Sequence, residues 1–515
     1  MGNQLFDLVR ARIPAPSARF ALLDDGRHYS YADMVDVSAR YANALVALGV
    51  KPGDRVAVQV EKSIEALMLY LGAVRAGAIF LPLNTAYTPA EIEYFLGDAQ
   101  PAVFVCDPAK ADALKPYAAK AGAKLETLGV WRSPDISAGT LSDKALAASA
   151  AFADIERGPD DLAAILYTSG TTGRSKGAML SHDNLASNAL ALVDYWRFGK
   201  DDVLLHALPI FHTHGLFVAT NCVLFSGASM ILLPKFDPEQ VFRDLPQATC
   251  MMGVPTFYVR LLQDERLTRA ATAHMRLFVS GSAPLLAETH REWRERTGHA
   301  ILERYGMTET NMNTSNPYDG ERVAGTVGFP LPGVSARVAD PETGKLLGPD
   351  EIGMIEVKGP NVFKGYWRNP EKTAAEFKPD GFFITGDLGK IDGAGYVHIV
   401  GRGKDLIITG GYNVYPKEVE TEIDEMPGVI ESAVIGCPHP DFGEGVTAVV
   451  VVKPGATITA ASIAAALEQR LAKFKQPKQV FVVQDLPRNT MGKVQKNLLR
   501  EQYKDIYARQ MKAGE

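Results

Sequence analysis

The residues best equipped for chemistry form one short stretch, Thr168-Ser169-Gly170-Thr171-Thr172-Gly173-Arg174-Ser175-Lys176-Gly177, directly after the apolar run Leu162 to Leu166. Its glycines permit a tight backbone that presents N–H groups, its hydroxyls add neutral donors, and Lys176 adds a cation. Such a loop can cradle an anion as large as a triphosphate. A Walker loop is the nearest rival. It needs Gly-Lys-Ser/Thr after four spacer residues, and here Lys176 follows Ser175 and precedes Gly177, so the fingerprint fails. A flexible Ser/Thr/Gly linker is the bland alternative. Against it stands the position, between a buried strand and a helix expected to start near His182.

The elements around this loop alternate. Apolar residues at helical spacing from 29 to 50 close at Gly49, a helix with its C-terminal glycine. A strand follows at Arg55 to Val60, then a helix from Ser63 to Ala76 and a strand from Ile79 to Leu83. The same alternation returns at 94–106 and through 201–281, which reads as parallel α/β layers. After about residue 325 strands shorten, glycines close many turns, and Gly353-Met354-Ile355-Glu356-Val357-Lys358 alternates with period two, as in a β-rich subdomain. A smaller α+β pattern follows from 401: a helix at 416–426, strands at 429–436 and 446–453, a helix at 461–473, a strand at 479–484 and a terminal helix. The expected division is a large domain over 1–402 and a small one over 403–515.

Bulk properties narrow the class. A chain of 515 residues is too long for one compact core. Its net charge of −6 argues against a broad nucleic-acid face. Cys106, Cys222, Cys250 and Cys437 are scattered without a CxxC pair, which suits a reducing cytosol. The first residues lack the basic start and apolar core of a signal peptide, and no apolar run approaches the ~18 residues of a spanning helix. The expected location is cytoplasmic, with no membrane and no nucleic-acid partner.

Beyond the loop, further motifs occur in a fixed order. They are Ser280-Gly281-Ser282-Ala283-Pro284, Tyr305-Gly306-Met307-Thr308-Glu309, Thr385-Gly386-Asp387, Gly401-Arg402-Gly403-Lys404-Asp405 and Pro487-Arg488-Asn489-Thr490-Met491-Gly492-Lys493. Together with the loop they resemble, over nearly the whole chain, the superfamily of acyl-CoA synthetases, adenylation domains and luciferases. The resemblance implies an ATP-dependent enzyme that activates a carboxylic acid as its acyl-adenylate and passes the acyl group to coenzyme A. It also implies a small mobile C-terminal domain.

Residue by residue, the resemblance implies that Thr168, Ser169, Gly170, Thr171, Thr172, Gly173 and Lys176 hold the phosphates. Gly281, Ser282, Ala283, Pro284, Glu303, Tyr305, Gly306 and Met307 would form the adenine side. Thr308 would touch the α-phosphate, Glu309 would hold Mg²⁺, and Asp387 with Arg402 would grip the ribose. Glu309 and Asp387 also read as helix or turn caps. Lys493 would be the catalytic cation spanning carboxylate and α-phosphate, or else a surface lysine like Lys496. Lys404 occupies the family's hinge, and rotation there would bring Gly410, Gly411 and Tyr412 to the pantetheine tunnel. Acylation of Lys493 by a protein lysine acetyltransferase would silence adenylation by removing its charge.

The acid is suggested by a departure from the family. Many members have Gly before Tyr-Gly-x-Thr-Glu, whereas this chain has Arg304. A guanidinium fork there matches a second carboxylate; alternatively Arg304 forms a surface ion pair with Glu303 or Glu309. Arg260 lies in a segment that lines the same pocket in the family, or is the exposed end of a helix. His206, His212 and His214 have spacing compatible with metal ligands but no acidic or cysteine partner beside them, which favours pocket lining or burial. Glu-Arg-Tyr-Gly-Met-Thr-Glu and His-x-His-Gly resemble the malonyl-CoA synthetases. The expected substrate is malonate, with methylmalonate as a further candidate. A synthetase for another short, medium-chain or aromatic acid, a carrier-protein adenylation domain and a non-catalytic nucleotide-binding homologue are the other readings. The chain ends soon after the small domain, which favours free CoA as acceptor over an attached carrier.

Overall fold

A computed structural model describes residues 2–130, 139–168, 175–489 and 492–507. Helix Tyr31–Ala47 begins at Ser30, whose hydroxyl accepts from Asp33 N while the Asp33 carboxylate accepts from the Ser30 N–H, a reciprocal cap. It packs on Ile64–Arg75, a helix buried along its whole length. Gly72 permits the crossing, because a Cβ there would stand 2.7 Å from Tyr41 Cβ.

Two sheets form the α/β layers. A six-stranded sheet runs in the order Lys124–Thr127, Val103–Cys106, Arg55–Gln59, Ile79–Pro82, Leu162–Thr168, Lys176–Ser181. All its pairings are parallel except the last. A nine-stranded sheet places Val203–His206 beside Ser229–Leu232 and Cys250–Gly253, then Leu277–Ser280, Leu302–Met307 and Asn311–Ser315. The parallel strands Val203–His206, Ser229–Leu232, Cys250–Gly253 and Leu277–Ser280 are short and largely apolar, as strands covered on both faces must be. The C-terminal ends of these parallel strands lie at one edge, the cleft where such sheets usually take a ligand.

Contrary to expectation, the glycine-rich segment does not run from strand straight to helix. Strand Lys176–Ser181 first returns antiparallel to Leu162–Thr168, pairing Lys176 with Thr168, and only then does helix His182–Tyr195 start. The Lys176–Ser181 strand is short and its glycine masks any alternation, so period alone does not mark it.

The β-rich subdomain is a four-stranded antiparallel sheet, Ser335–Ala339, Gly353–Lys358, Phe383–Ile391 and Val397–Arg402. A 3₁₀ turn at Gly403–Asp405 leads into a five-stranded sheet centred on Gly443–Val452. Helices Pro416–Asp424, Ala460–Glu468 and Lys496–Tyr503 accompany it. The architecture is mixed α/β with a large N-terminal part and a small C-terminal one.

Candidate active site

Strand Leu302–Met307 divides the site, because alternate side chains point to opposite faces. Tyr305 sends its hydroxyl to Asp387 Oδ2 at 2.5 Å, and Arg402 Nε reaches Asp387 Oδ1 at 2.8 Å. Asp387 and Arg402 are cross-strand partners. Gly386, at φ 75°, supplies the left-handed turn that aims Asp387 inward. An acceptor and a fork of donors thus stand together, a pairing suited to vicinal hydroxyls.

Glu309 is buried, and burial raises its carboxyl above the ordinary range. Its Oε1 accepts from Tyr366 Oη at 3.0 Å, and that hydroxyl also lies 2.6 Å from Glu376 Oε2. Lys176 joins this group, with Nζ 3.9 Å from Glu376 Oε1 and 4.6 Å from the Tyr366 ring centre. The group brings one cation and two carboxylates to the end of the glycine-rich loop. Thr168 is the last residue before that loop, while Ser169, Gly170, Thr171, Thr172 and Gly173 lie outside the described residues. Tyr366 and Glu376 were not expected. Neither belongs to a motif, and nothing in their local sequence announces that the chain returns to Glu309.

The opposite face of the strand carries Arg304. It is 4% exposed, yet its Nε and Nη2 find no hydrogen-bond partner. Burial lowers this guanidinium to about 9. The ion pairs that the sequence left open do not form: Glu303 Oε1 accepts from Gly325 N at 3.2 Å, and Glu309 is engaged with Tyr366. Burial also raises Glu303 to about 8. Around Arg304 stand His212 and His214, both pushed down by burial and then by Arg304 itself, His212 to about 4. His214 Nδ1 lies 3.1 Å from Ser282 Oγ, while its Nε2 also lacks a partner. His212 Nδ1 accepts from His214 N at 3.2 Å. Ser282, at φ 71°, follows Gly281, and so the turn after strand Leu277–Ser280 presents its hydroxyl to the pocket. A buried cation with open donors beside neutral imidazoles is a receptor for an anion.

Arg260 is not part of this group. It is exposed, and its guanidinium lies over the Phe236 ring at 5.0 Å. Thr256, in the first turn of helix Pro255–Leu262, is the residue that meets the Gly492 loop. Among the described residues no group of three His, Cys, Asp or Glu could hold a metal ion. His212 and His214 stand beside Arg304, while His206 is buried against Gly215 and Thr220.

Lys493 enters from the small domain. Its loop is braced by Arg488, which donates from Nη1 to Gly492 O at 2.7 Å and pairs with Glu431. Lys493 N donates to Asn489 Oδ1 at 2.9 Å. A Cβ on Gly492 would lie 3.2 Å from Thr256 Oγ1 of the large domain, so this loop is pressed against the cleft. The surrounding protein, and then Arg402, lower the Lys493 ammonium to about 8. Gly410, Gly411 and Tyr412 form a tight exposed hairpin, Tyr412 stacking on Phe474 at 4.6 Å. Lys404 sits in the 3₁₀ turn between the two arrangements of strands.

The AMP-binding enzyme family matches residues 10–367, and the AMP-binding enzyme C-terminal domain matches 418–493. A mitochondrial malonate–CoA ligase of Mus musculus, ACSF3, is 35% identical over 526 residues, covering 94% of this chain and 89% of that protein. A feruloyl-CoA synthase of an Amycolatopsis species is 37% identical over 499 residues, covering 96% and 97%. Among solved structures, ATP-bound MatB from Rhodopseudomonas palustris superposes with a TM-score of 0.96 at 67% identity, covering 98% of this chain and 100% of that one.

Proposed function

The chain belongs to the AMP-binding enzyme family and is an AMP-forming acid–CoA ligase, and we propose from that premise that its acid is malonate, with methylmalonate as a further candidate. One observation carries the choice of acid: the Arg304 guanidinium, buried, with two nitrogens free to bind a second carboxylate. Acetate would leave that cation unpaired, and a fatty or aromatic acid would set an apolar group against it.

In the proposed reaction one malonate carboxylate attacks the α-phosphorus of ATP, forming the mixed anhydride malonyl-AMP and releasing pyrophosphate. The CoA thiolate then attacks the acyl carbon and AMP leaves. Arg304 and His214 hold the non-reacting carboxylate. Asp387 and Arg402 hold the ribose, and Ser282, Ala283, Pro284 and Tyr305 face the adenine. Lys493 lies between the attacking carboxylate and the α-phosphate, where it offsets the charge that develops. Lys176 and the glycine-rich loop hold the β- and γ-phosphates, and Thr308 touches the α-phosphate. Glu309 suits Mg²⁺, a hard cation satisfied by one carboxylate together with phosphate oxygens. Bound there, the ion would neutralise the departing pyrophosphate.

The division at 402/403 makes Lys404 the pivot on which the small domain turns between the two half-reactions. That turn would withdraw Lys493 and carry Gly410, Gly411 and Tyr412 to the CoA thiol. Among the described residues no helix is long and apolar enough to cross a membrane. A cytoplasmic setting is supported by four free, buried cysteines. Acylation of Lys493 by a lysine acetyltransferase is part of this proposal, resting on the need for its charge.

The test is pyrophosphate release with malonate, methylmalonate, acetate, butyrate and benzoate, with and without CoA. Malonate turnover that requires Arg304 supports the reading; a preference for a monocarboxylate discards the dicarboxylate assignment.

A further inference from the structure

The wall of the acyl pocket is tied to the six-stranded sheet by two residues outside every motif. Lys62 lies between strand Arg55–Gln59 and helix Ile64–Arg75. Its Nζ donates to His206 O at 2.7 Å and lies 3.0 Å from His206 Nδ1. His206 ends strand Val203–His206 and is 1% exposed. Burial, and then Lys62, hold its ring neutral. Nε2 faces Gly215 O, which can only accept, so the single ring proton belongs on Nε2 and Nδ1 accepts from Lys62.

Two acceptors stand within reach of that proton. His206 Nε2 lies 3.0 Å from Gly215 O and 3.1 Å from Thr220 Oγ1, and Thr220 Oγ1 itself donates to Gly215 O at 2.9 Å. Gly215 and Thr220 belong to the π-helical turn His214–Thr220. Such turns are rare and have poorer internal geometry than an α-helix, so an outside anchor matters. The backbone is also tightly seated there, since a Cβ on Gly215 would fall 2.0 Å from Pro209 O. The first residue of the turn is His214, whose open Nε2 stands in the field of Arg304.

We propose that Lys62 is a positioning residue of the acyl pocket: through His206 it fixes the turn that carries His214, and so sets affinity for the acid rather than for ATP. This rests on the reading of Arg304 and His214 as the wall that receives the second carboxylate. Lys62→Met keeps the aliphatic stem and removes the donor. His206→Gln keeps an acceptor and a donor, whereas His206→Leu keeps neither.

The experiment is steady-state kinetics of these three variants of the full chain, with KM measured separately for malonate and ATP. Lys62→Met is expected to raise the malonate KM by ~10-fold and leave the ATP KM within about twofold. His206→Gln is expected to stay closer to the wild type than His206→Leu. An unchanged malonate KM in Lys62→Met, parallel rises for both substrates, or equal behaviour of Gln and Leu at 206 would each overturn the proposal. If Lys62→Met does not fold, the comparison of the two His206 variants decides the matter. A wild-type preference for a monocarboxylate sinks the dicarboxylate reading alone, and the same comparison with that acid then judges Lys62.

Discussion

A Cβ on residue 281 would lie 2.2 Å from Cζ of Arg304, so Gly281 and Arg304 share one volume. The two residues come from neighbouring strands, Gly281 following Leu277–Ser280 and Arg304 lying within Leu302–Met307. Only a residue without a side chain at 281 lets the guanidinium lie against the backbone there. The arrangement buries a cation with two of its nitrogens unpartnered, which is costly until an anion arrives.

Removing either partner should therefore damage recognition of the acid. Arg304→Ala is expected to lower kcat/KM for malonate by about 2–5 kcal/mol, roughly 30-fold to several thousand-fold. Gly281→Ala should displace the guanidinium and do similar harm without touching any charge. Pyrophosphate release against malonate concentration checks both. Retained malonate affinity in Gly281→Ala would mean that Arg304 does not bind from the position it occupies.

Lys493 gives a pH signature. Its surroundings lower its ammonium to about 8, and in the role proposed for it the charged form is the one that adenylation needs. Activity should hold below that pH and fall as pH rises through it. Lys493→Arg keeps its charge above pH ~12 and should move the falling limb upward, though with a lower plateau. A limb that stays in place in Lys493→Arg belongs to another group.

The crossing of the first two long helices sets propensity against packing. Ala at position 72 has the better helix propensity by ~1 kcal/mol. Its Cβ would however meet Tyr41 Cβ at 2.7 Å and Ser38 O at 3.0 Å. Overpacking of this kind costs about 1–3 kcal/mol, so sterics should win and Gly72→Ala should melt at a lower temperature. A raised melting temperature would show that the helices can separate at little cost.

What could be read beforehand follows the distance between the residues involved. Asp387 and Arg402 are recognisable because each sits in its own short motif, and one antiparallel sheet joins them. The α/β layering and the small α+β unit are visible in local periodicity, and element positions agree to within a few residues, as for Pro416–Asp424 and Gln479–Val483. Tyr366 reaches Glu309 across 57 positions and Lys62 reaches His206 across 144, and no pattern in one sequence marks such meetings. For Arg260 the sequence left two readings open, pocket lining and the exposed end of a helix, and the structure shows the second. Its place in the helix Pro255–Leu262 was sound, but residue spacing does not fix which turn of a helix faces the cleft. The strand Lys176–Ser181 was too short and too mixed to register.

The two roles proposed for the small domain are separable by experiment. Lys493 is held beside the cleft by Arg488 and Asn489, while Gly410, Gly411 and Tyr412 lie on the outside in the same arrangement. Neutralising Lys493 removes the charge that the proposed adenylation step uses and leaves the hairpin intact. Lys493→Gln, a mimic of the acetylated residue, should lose malonate-dependent pyrophosphate release by ~100-fold or more. It should still convert supplied malonyl-adenylate and CoA to thioester at near the wild-type rate. Loss of both half-reactions would place Lys493 in thioester formation as well, and loss of neither would remove it from the chemistry.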